Sequence, residues 1–328
     1  MIERRLPRAG EPSGSTPPRV RLPVTPAGIA AARLPRPRGF PWAAPTRPGT
    51  VPVPPAERNV GVDYDTDWAR RYPARLVRAA LTEGVARPAV AALTRPRVEG
   101  RDRIAALRGP AIFAANHASH IDTPLLLSVV PERWRHRMVV ASAADYFFDT
   151  RVKSATFAFL LNAVPVERQR VDRKSARHLL ALLEEGWSLL IYPEGGRSPD
   201  GWGQPHRAGA AWLAERTGRP LVPVHLEGTR RILPRHASRP RPGRVTVRFG
   251  RPIRPADAGA RELAGRLEAA IAVLADEEAT DWWSAARRAA SGVTPPLTGP
   301  GDAGAWRRSW ALGGDRRRPP GEARWPKP

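Results

Sequence analysis

The 328-residue chain contains no cysteine, which excludes disulfides, thiolate metal sites and cysteine nucleophiles and fits a reducing compartment. It also has no Gly-x-Ser-x-Gly elbow, so no serine nucleophile is presented in that way. Long apolar runs are missing too. The best of them, 157–166, is interrupted by Asn162 and Pro165 and falls short of the roughly 18 residues expected of a membrane span. The N-terminus has arginines but no continuous apolar stretch, so a secretory signal is not expected. Acidic residues and lysine are scarce: 31 Asp and Glu face 54 Lys and Arg, of which only Lys153, Lys174 and Lys327 are lysine, for a net charge of +23. This arginine excess admits two readings, coding bias or a surface for polyanions.

What is abundant is unevenly spread. Residues 1–58 and 291–328 are rich in Pro, Arg, Gly and Ala, and neither end can bury enough apolar surface to offset its ordering entropy. Both are expected to be disordered tails. Residues 59–95 read as an amphipathic helical segment, with Trp68, Tyr72, Leu76, Leu81, Val85 and Val90 at helical spacing among arginines, and with a break at Pro88. Such a segment either packs on the domain or lies on a membrane surface. Residues 96–290 alternate between short apolar strands and helices, which predicts an α/β fold: a single mixed sheet covered by helices. The helix after the first strand is expected to start at Pro124 with Thr123 as its N-cap. Trp282 and Trp283 follow the last predicted helix, either as the end of the core or as an interfacial pair.

In such sheets ligands bind beyond the carboxyl ends of strands. Two turns in this chain fall there. One is Asn116-His117-Ala-Ser119-His120-Ile-Asp122, after the strand predicted at 111–115. His117 and Asp122 are five positions apart, which on a continuous helix would turn them about 140° away from each other. They can pair only if His117 lies in the loop and Asp122 sits at the mouth of the helix. An imidazole held by a carboxylate is a general base. With no enzyme nucleophile in view, it would act on a substrate hydroxyl. His117, His120, Asp122 and Glu194 could instead ligate a metal, but a lone His-x-x-His is a weak signal and no metal is assigned. The second turn, Pro193-Glu194-Gly195-Gly196-Arg197-Ser198, combines glycines that allow close backbone approach with a guanidinium suited to phosphate. Arg168 adds another cation.

Together these stretches resemble the 1-acyl-sn-glycerol-3-phosphate (lysophosphatidic acid) acyltransferase family over about residues 95–255. The Asn-His-x-Ser-x-x-Asp block matches in full at Asn116–Asp122. Asn162-Ala-Val-Pro165-Val166-Glu-Arg168 is similar to the second block, with Asn162 where the family usually has Gly. Pro193–Ser198 is similar to Pro-Glu-Gly-Thr-Arg-Ser, with Gly196 for Thr. Leu221-Val222-Pro223-Val224 is similar to the fourth.

The resemblance implies His117 as general base and Asp122 as its orienting partner. It implies a substrate-binding set of Asn116, Ser119, Arg168, Glu194, Gly195, Gly196, Arg197, Ser198 and Pro223, with Pro223 on the acyl-donor side. No cofactor is implied beyond acyl-CoA or acyl-carrier protein as co-substrate. The acceptor would be a lysophospholipid, or alternatively glycerol 3-phosphate, an ornithine lipid or a glycolipid. The expected location is cytoplasmic, peripheral on the inner face of the cell membrane, against an anionic surface. Specific nucleic-acid binding, the competing reading of the charge, is not expected, because no helix-turn-helix, zinc or RNA-binding motif is evident.

Overall fold

The computed structural model describes residues 61–167, 173–198, 201–234, 237, 239–255 and 258–299. Arg168, the N-terminal tail and residues 300–328 of the C-terminal tail lie outside the described residues.

The described part opens with two 3-10 turns (Gly61–Asp63 and Asp67–Arg70), followed by α1 (Tyr72–Leu81) and α2 (Arg87–Thr94). The break expected at Pro88 does not occur. Thr82–Ala86 forms a π-helical turn, in which the Arg87 N–H reaches back to the Thr82 carbonyl. A proline ring clashes with the carbonyl four residues before it in regular α geometry. The wider turn relieves that clash, and the chain stays helical.

The sheet elements then follow in order: β1 (Pro96–Glu99), β2 (Ile112–Ala115), α3 (Asp122–Val129), α4 (Glu132–Arg135), β3 (Met138–Ala143), α5 (Ala144–Phe147), α6 (Arg151–Leu161) and β4 (Ala163–Val166). After these come α7 (Arg173–Glu184), β5 (Ser188–Ile191), α8 (Gly209–Thr217), β6 (Leu221–Glu227), α9 (Thr229–Ile232), β7 (Val245–Phe249), α10 (Ala260–Ala279) and α11 (Trp282–Ala290). The seven strands lie in the order β1-β7-β6-β2-β5-β3-β4. Every neighbouring pair is parallel except β6 with β7. The result is the single mixed sheet that the alternation predicted.

Strand alternation sorts the core. Phe113 and Ala115 of β2, with Val222 and Val224 of β6, join Leu125 and Leu126 of α3 and Trp134 on one face. Ile112 and Ala114 turn to the other face, among Leu179 and Leu183 of α7, Ala211 of α8, and Leu267 and Ile271 of α10. Burying each large side chain of this kind contributes roughly 1.5–3 kcal/mol. Asn162 ends α6 in left-handed geometry (φ 51°) and donates its side-chain amide to the Met138 carbonyl at 2.7 Å. Asparagine is the side chain that best replaces glycine at such a stop, which accounts for its presence where the family resemblance leads one to expect Gly.

Two expectations need correcting. The helix α3 begins at Asp122, with Ile121 preceding it, so Thr123 is inside the first turn and is not its cap. Pro124 is tolerated there because the first four N–H groups of a helix have no internal partner. Residues 291–299, assigned to the C-terminal tail, lie against the domain: Leu297 packs on the core and its carbonyl accepts the Gly203 N–H at 2.9 Å. One apolar anchor outweighs the polar average around it. Trp282 and Trp283 meet edge to face with centroids 4.9 Å apart and remain exposed, so they do not close the core.

Candidate active site

β2 and β5 run side by side and in parallel, so the loops leaving them meet at one end of the sheet. Asn116 starts the first loop. Its Nδ2 donates to the Leu226 carbonyl at 2.9 Å and its Oδ1 accepts the Leu226 N–H at 2.7 Å. A side chain thus continues the ladder between β2 and β6 by one step, and His117 leaves the sheet from a fixed point.

The His117 side chain is 15% exposed, and its Nδ1 lies 2.8 Å from Oδ2 of Asp122, which is completely buried. The same oxygen accepts the Ala118 and Ser119 N–H groups, both at 2.8 Å. An ionised carboxylate only accepts, so Nδ1 carries the hydrogen and the Nε2 lone pair is left for a proton. The geometry is the one the spacing required: His117 in the loop, Asp122 at the mouth of α3. Tyr192, at the end of β5, stacks on the imidazole with centroids 4.0 Å apart and planes 16° apart. Its hydroxyl lies 2.9 Å from Thr123 Oγ1, and burial, with Asp122 nearby, pushes that hydroxyl's pKa well up. Tyr192 was missed in the sequence, although an aromatic residue just before Pro193-Glu194 is the available signal.

Glu194 braces the two loops. One carboxylate oxygen accepts the His117 N–H at 2.9 Å and the other accepts the Gln204 N–H at 3.0 Å. Burial pushes its pKa up to about 7 despite these two hydrogen bonds, with Asp122 and Glu268 adding to the rise. Ser198 fastens the same junction, since its N–H donates to the His117 carbonyl at 2.7 Å. Gly195 has φ +73°, and a Cβ there would come within 2.6 Å of Arg207 Nε. Gly196 follows it in the turn.

On the other side of His117, Arg197 Nη1 meets His120 Nε2, and its guanidinium carbon sits 5.4 Å over the Tyr146 ring. Burial, followed by the neighbouring Arg197 and His117, lowers the His120 pKa to about 4. A neutral imidazole facing a guanidinium is an acceptor, which is unlike the setting of a metal ligand.

Of the expected site residues, the structure brings His117, Asp122, Asn116, Ser119, Glu194, Gly195, Gly196, Arg197 and Ser198 into one neighbourhood. Several of them face the protein itself. Ser119 is buried, donates its hydroxyl to the Leu233 carbonyl at 2.7 Å and accepts the Ile121 N–H at 3.3 Å. Asn116, Ser119 and Glu194 therefore hold the loops in place, a task unlike the substrate contact expected of them. Pro223 stands apart: it lies within β6 opposite Ala114, and its carbonyl accepts the Gly250 N–H at 2.8 Å. Its position in the alternation puts its ring on the α10 face, away from the side occupied by α3.

Strands β1 to β6, the carboxylate-held histidine and the arginine-bearing turn at the ends of adjacent strands all fall within residues 95–227, which the Acyltransferase family model matches. A 1-acyl-sn-glycerol-3-phosphate acyltransferase of Brassica napus is 28% identical over 147 residues, covering 42% of this chain and 38% of that relative. The corresponding protein of Cocos nucifera is 29% identical over 155 residues, covering 45% of this chain and 47% of the relative. The chain thus spans less than half the length of these curated relatives. The crystal structure of the 1-acyl-sn-glycerophosphate acyltransferase PlsC from Thermotoga maritima superimposes with a TM-score of 0.52 at 25% identity, over 66% of this chain and 84% of that one. Over these residues the chain is similar to the 1-acyl-sn-glycerol-3-phosphate acyltransferases in both sequence and fold.

Proposed function

We propose that the protein transfers a fatty acyl group from acyl-CoA or acyl-carrier protein to the free hydroxyl of a lysophospholipid, 1-acyl-sn-glycerol-3-phosphate, giving phosphatidic acid. The observation that carries this reading is the 2.8 Å contact of His117 Nδ1 with the buried Asp122, which leaves Nε2 as a base. His117 Nε2 takes the hydroxyl proton as the oxygen attacks the thioester carbonyl. The tetrahedral intermediate then collapses with loss of the thiolate, which recovers the proton from the imidazolium. Asp122 stabilises the imidazolium in between. No acyl-enzyme is required. Arg197 binds the acceptor phosphate, and backbone N–H groups stabilise the oxyanion.

The acceptor is a membrane lipid, and α1 offers a surface suited to reach it. Tyr72, Leu76, Val77 and Leu81 are exposed there, next to Arg71 and Arg75. Apolar side chains flanked by arginine favour an anionic lipid interface. Among the described residues no helix is long and apolar enough to cross a membrane. The exposed apolar and arginine side chains of α1 support attachment to an anionic membrane surface, which we place at the inner face of the cell membrane.

The test is thiol release from acyl-CoA in the presence of anionic vesicles and a panel of acceptors: 1-acyl-sn-glycerol-3-phosphate, glycerol 3-phosphate, an ornithine lipid and a neutral glycolipid. Turnover is expected with the first. Turnover confined to another member of the panel would overturn the acceptor assignment and leave the chemistry in place.

A further inference from the structure

We infer that His120 and Tyr146 position Arg197, holding its guanidinium at a fixed offset from the His117 base so that the acceptor phosphate is bound in register with the hydroxyl to be acylated. This rests on the acyl-transfer reading above.

Three separate segments converge on the guanidinium. His120 comes from the loop between β2 and α3, Tyr146 from α5, and Arg197 from the turn after β5. The His120 ring stacks on Tyr146 with centroids 5.7 Å apart and planes 26° apart, and the Tyr146 hydroxyl lies 3.3 Å from His120 Nε2. Arg197 Nη1 donates to that same Nε2, while its cationic carbon lies over the tyrosine ring. The imidazole supplies a directional acceptor and the ring supplies a face that attracts the cation. An arginine on a turn would otherwise lose side-chain rotamer freedom on binding phosphate. Holding it beforehand removes part of that cost. The imidazole engages a single one of the five guanidinium N–H donors.

His120 is three residues from His117 in one loop, and that loop is itself tied down by Asp122 and Glu194. The position of Arg197 is thereby referenced to the base and not only to its own turn. The groups facing the His120 ring are Arg197, Tyr146, His117 and Asp122. Burial and Arg197 keep the ring neutral at ordinary pH, as an acceptor must be.

The experiment compares wild type with His120→Ala, His120→Gln and Tyr146→Leu, each checked for an unchanged thermal unfolding curve. For His120→Ala the KM for 1-acyl-sn-glycerol-3-phosphate is expected to rise about tenfold, with kcat and the acyl-CoA KM within about twofold of wild type. His120→Gln, whose side-chain oxygen also accepts from Arg197, is expected to recover most of the loss. Tyr146→Leu is expected to raise the same KM by a smaller factor. An unchanged acceptor KM in His120→Ala, or a Gln variant no better than Ala, would overturn the assignment. Binding to vesicles with and without 1-acyl-sn-glycerol-3-phosphate is read in parallel. If wild type turns over no acceptor, the acyl-transfer reading fails. A preference for the phosphorylated lipid that His120→Ala lacks would still support the clamp, and a preference that His120→Ala retains would refute it.

Discussion

The two sides of the candidate site are built differently. On the base side, His117 and Asp122 are fixed by main-chain groups: two backbone N–H groups join the imidazole on one Asp122 oxygen, Glu194 bridges two more backbone N–H groups, and Asn116 hooks onto β6. On the arginine side, the guanidinium meets the side chains of His120 and Tyr146. Main-chain anchors allow little variation, since the ladder that supplies them also holds the sheet together. Side-chain anchors can be exchanged one at a time. Under the proposed function, the base is thus held rigidly, while recognition of the acceptor is the adjustable part.

This contrast can be broken or sharpened by substitution. The largest effect is expected at His117→Ala, where acyl transfer should fall by at least about 10²–10⁴-fold while unfolding is unchanged; a rate equal to wild type would remove the base from the mechanism. Adding Asp122→Asn to that variant should cost almost nothing more, because residues acting as a unit are far from additive. Product formation measured for both singles and the double settles the point. Next in size is Arg197→Ala, expected to raise the acceptor KM about tenfold to a hundredfold and leave the donor KM alone. A shift in both constants would place Arg197 on the base side of the comparison. Asn116→Ala should lower folding stability by roughly 1–3 kcal/mol, since it deprives two buried main-chain groups of their partners. Urea titration gives that value, and a loss of acceptor affinity at full stability would instead make Asn116 a ligand-binding residue.

The smallest effect concerns Glu194 and pH. Its native pKa, about 7, lies above the ordinary value of 4.5, so the native state binds this proton more tightly than the unfolded chain does. Its stabilising contribution is therefore complete below about 4.5 and is lost as pH rises through 7. His225, buried and beside Arg248, is displaced the other way, to about 4, and contributes stability above 6.5 that is lost as pH falls toward 4. Subtracting the stability profile of Glu194→Gln from that of wild type isolates the glutamate. The difference should decline between pH 4.5 and 7, and a flat difference would show that burial does not control this carboxyl.

Much of the fold was legible because the core strands are short runs of apolar residues separated by amphipathic helices. β1 was not. At the edge of the sheet it carries Arg97 and Glu99 in four residues, and only its pairing with β7 makes it a strand. The His117–Asp122 pair was readable from spacing and the position of Pro124, even though the helix starts two residues earlier than expected. The work of Asn116, Ser119 and Glu194 was not readable, since their partners are main-chain groups that lie up to 114 residues away. His120 looked like half of a metal pair because sequence spacing does not reveal that Arg197 and Tyr146 face it.

The π turn at Thr82–Ala86 has a consequence for the surface of the molecule. One additional residue in a helical ladder advances the phase of everything beyond it by about 100°. α2 can therefore point Val90 and Thr94 into the domain, while the apolar row of α1, led by Tyr72 at 76% exposure, points outward. Two halves of one helical rod thereby address two different environments. Deleting a single residue between 82 and 86 would bring the halves into phase and swing the row on α1 about a quarter turn around the rod, toward or away from the surface it now presents.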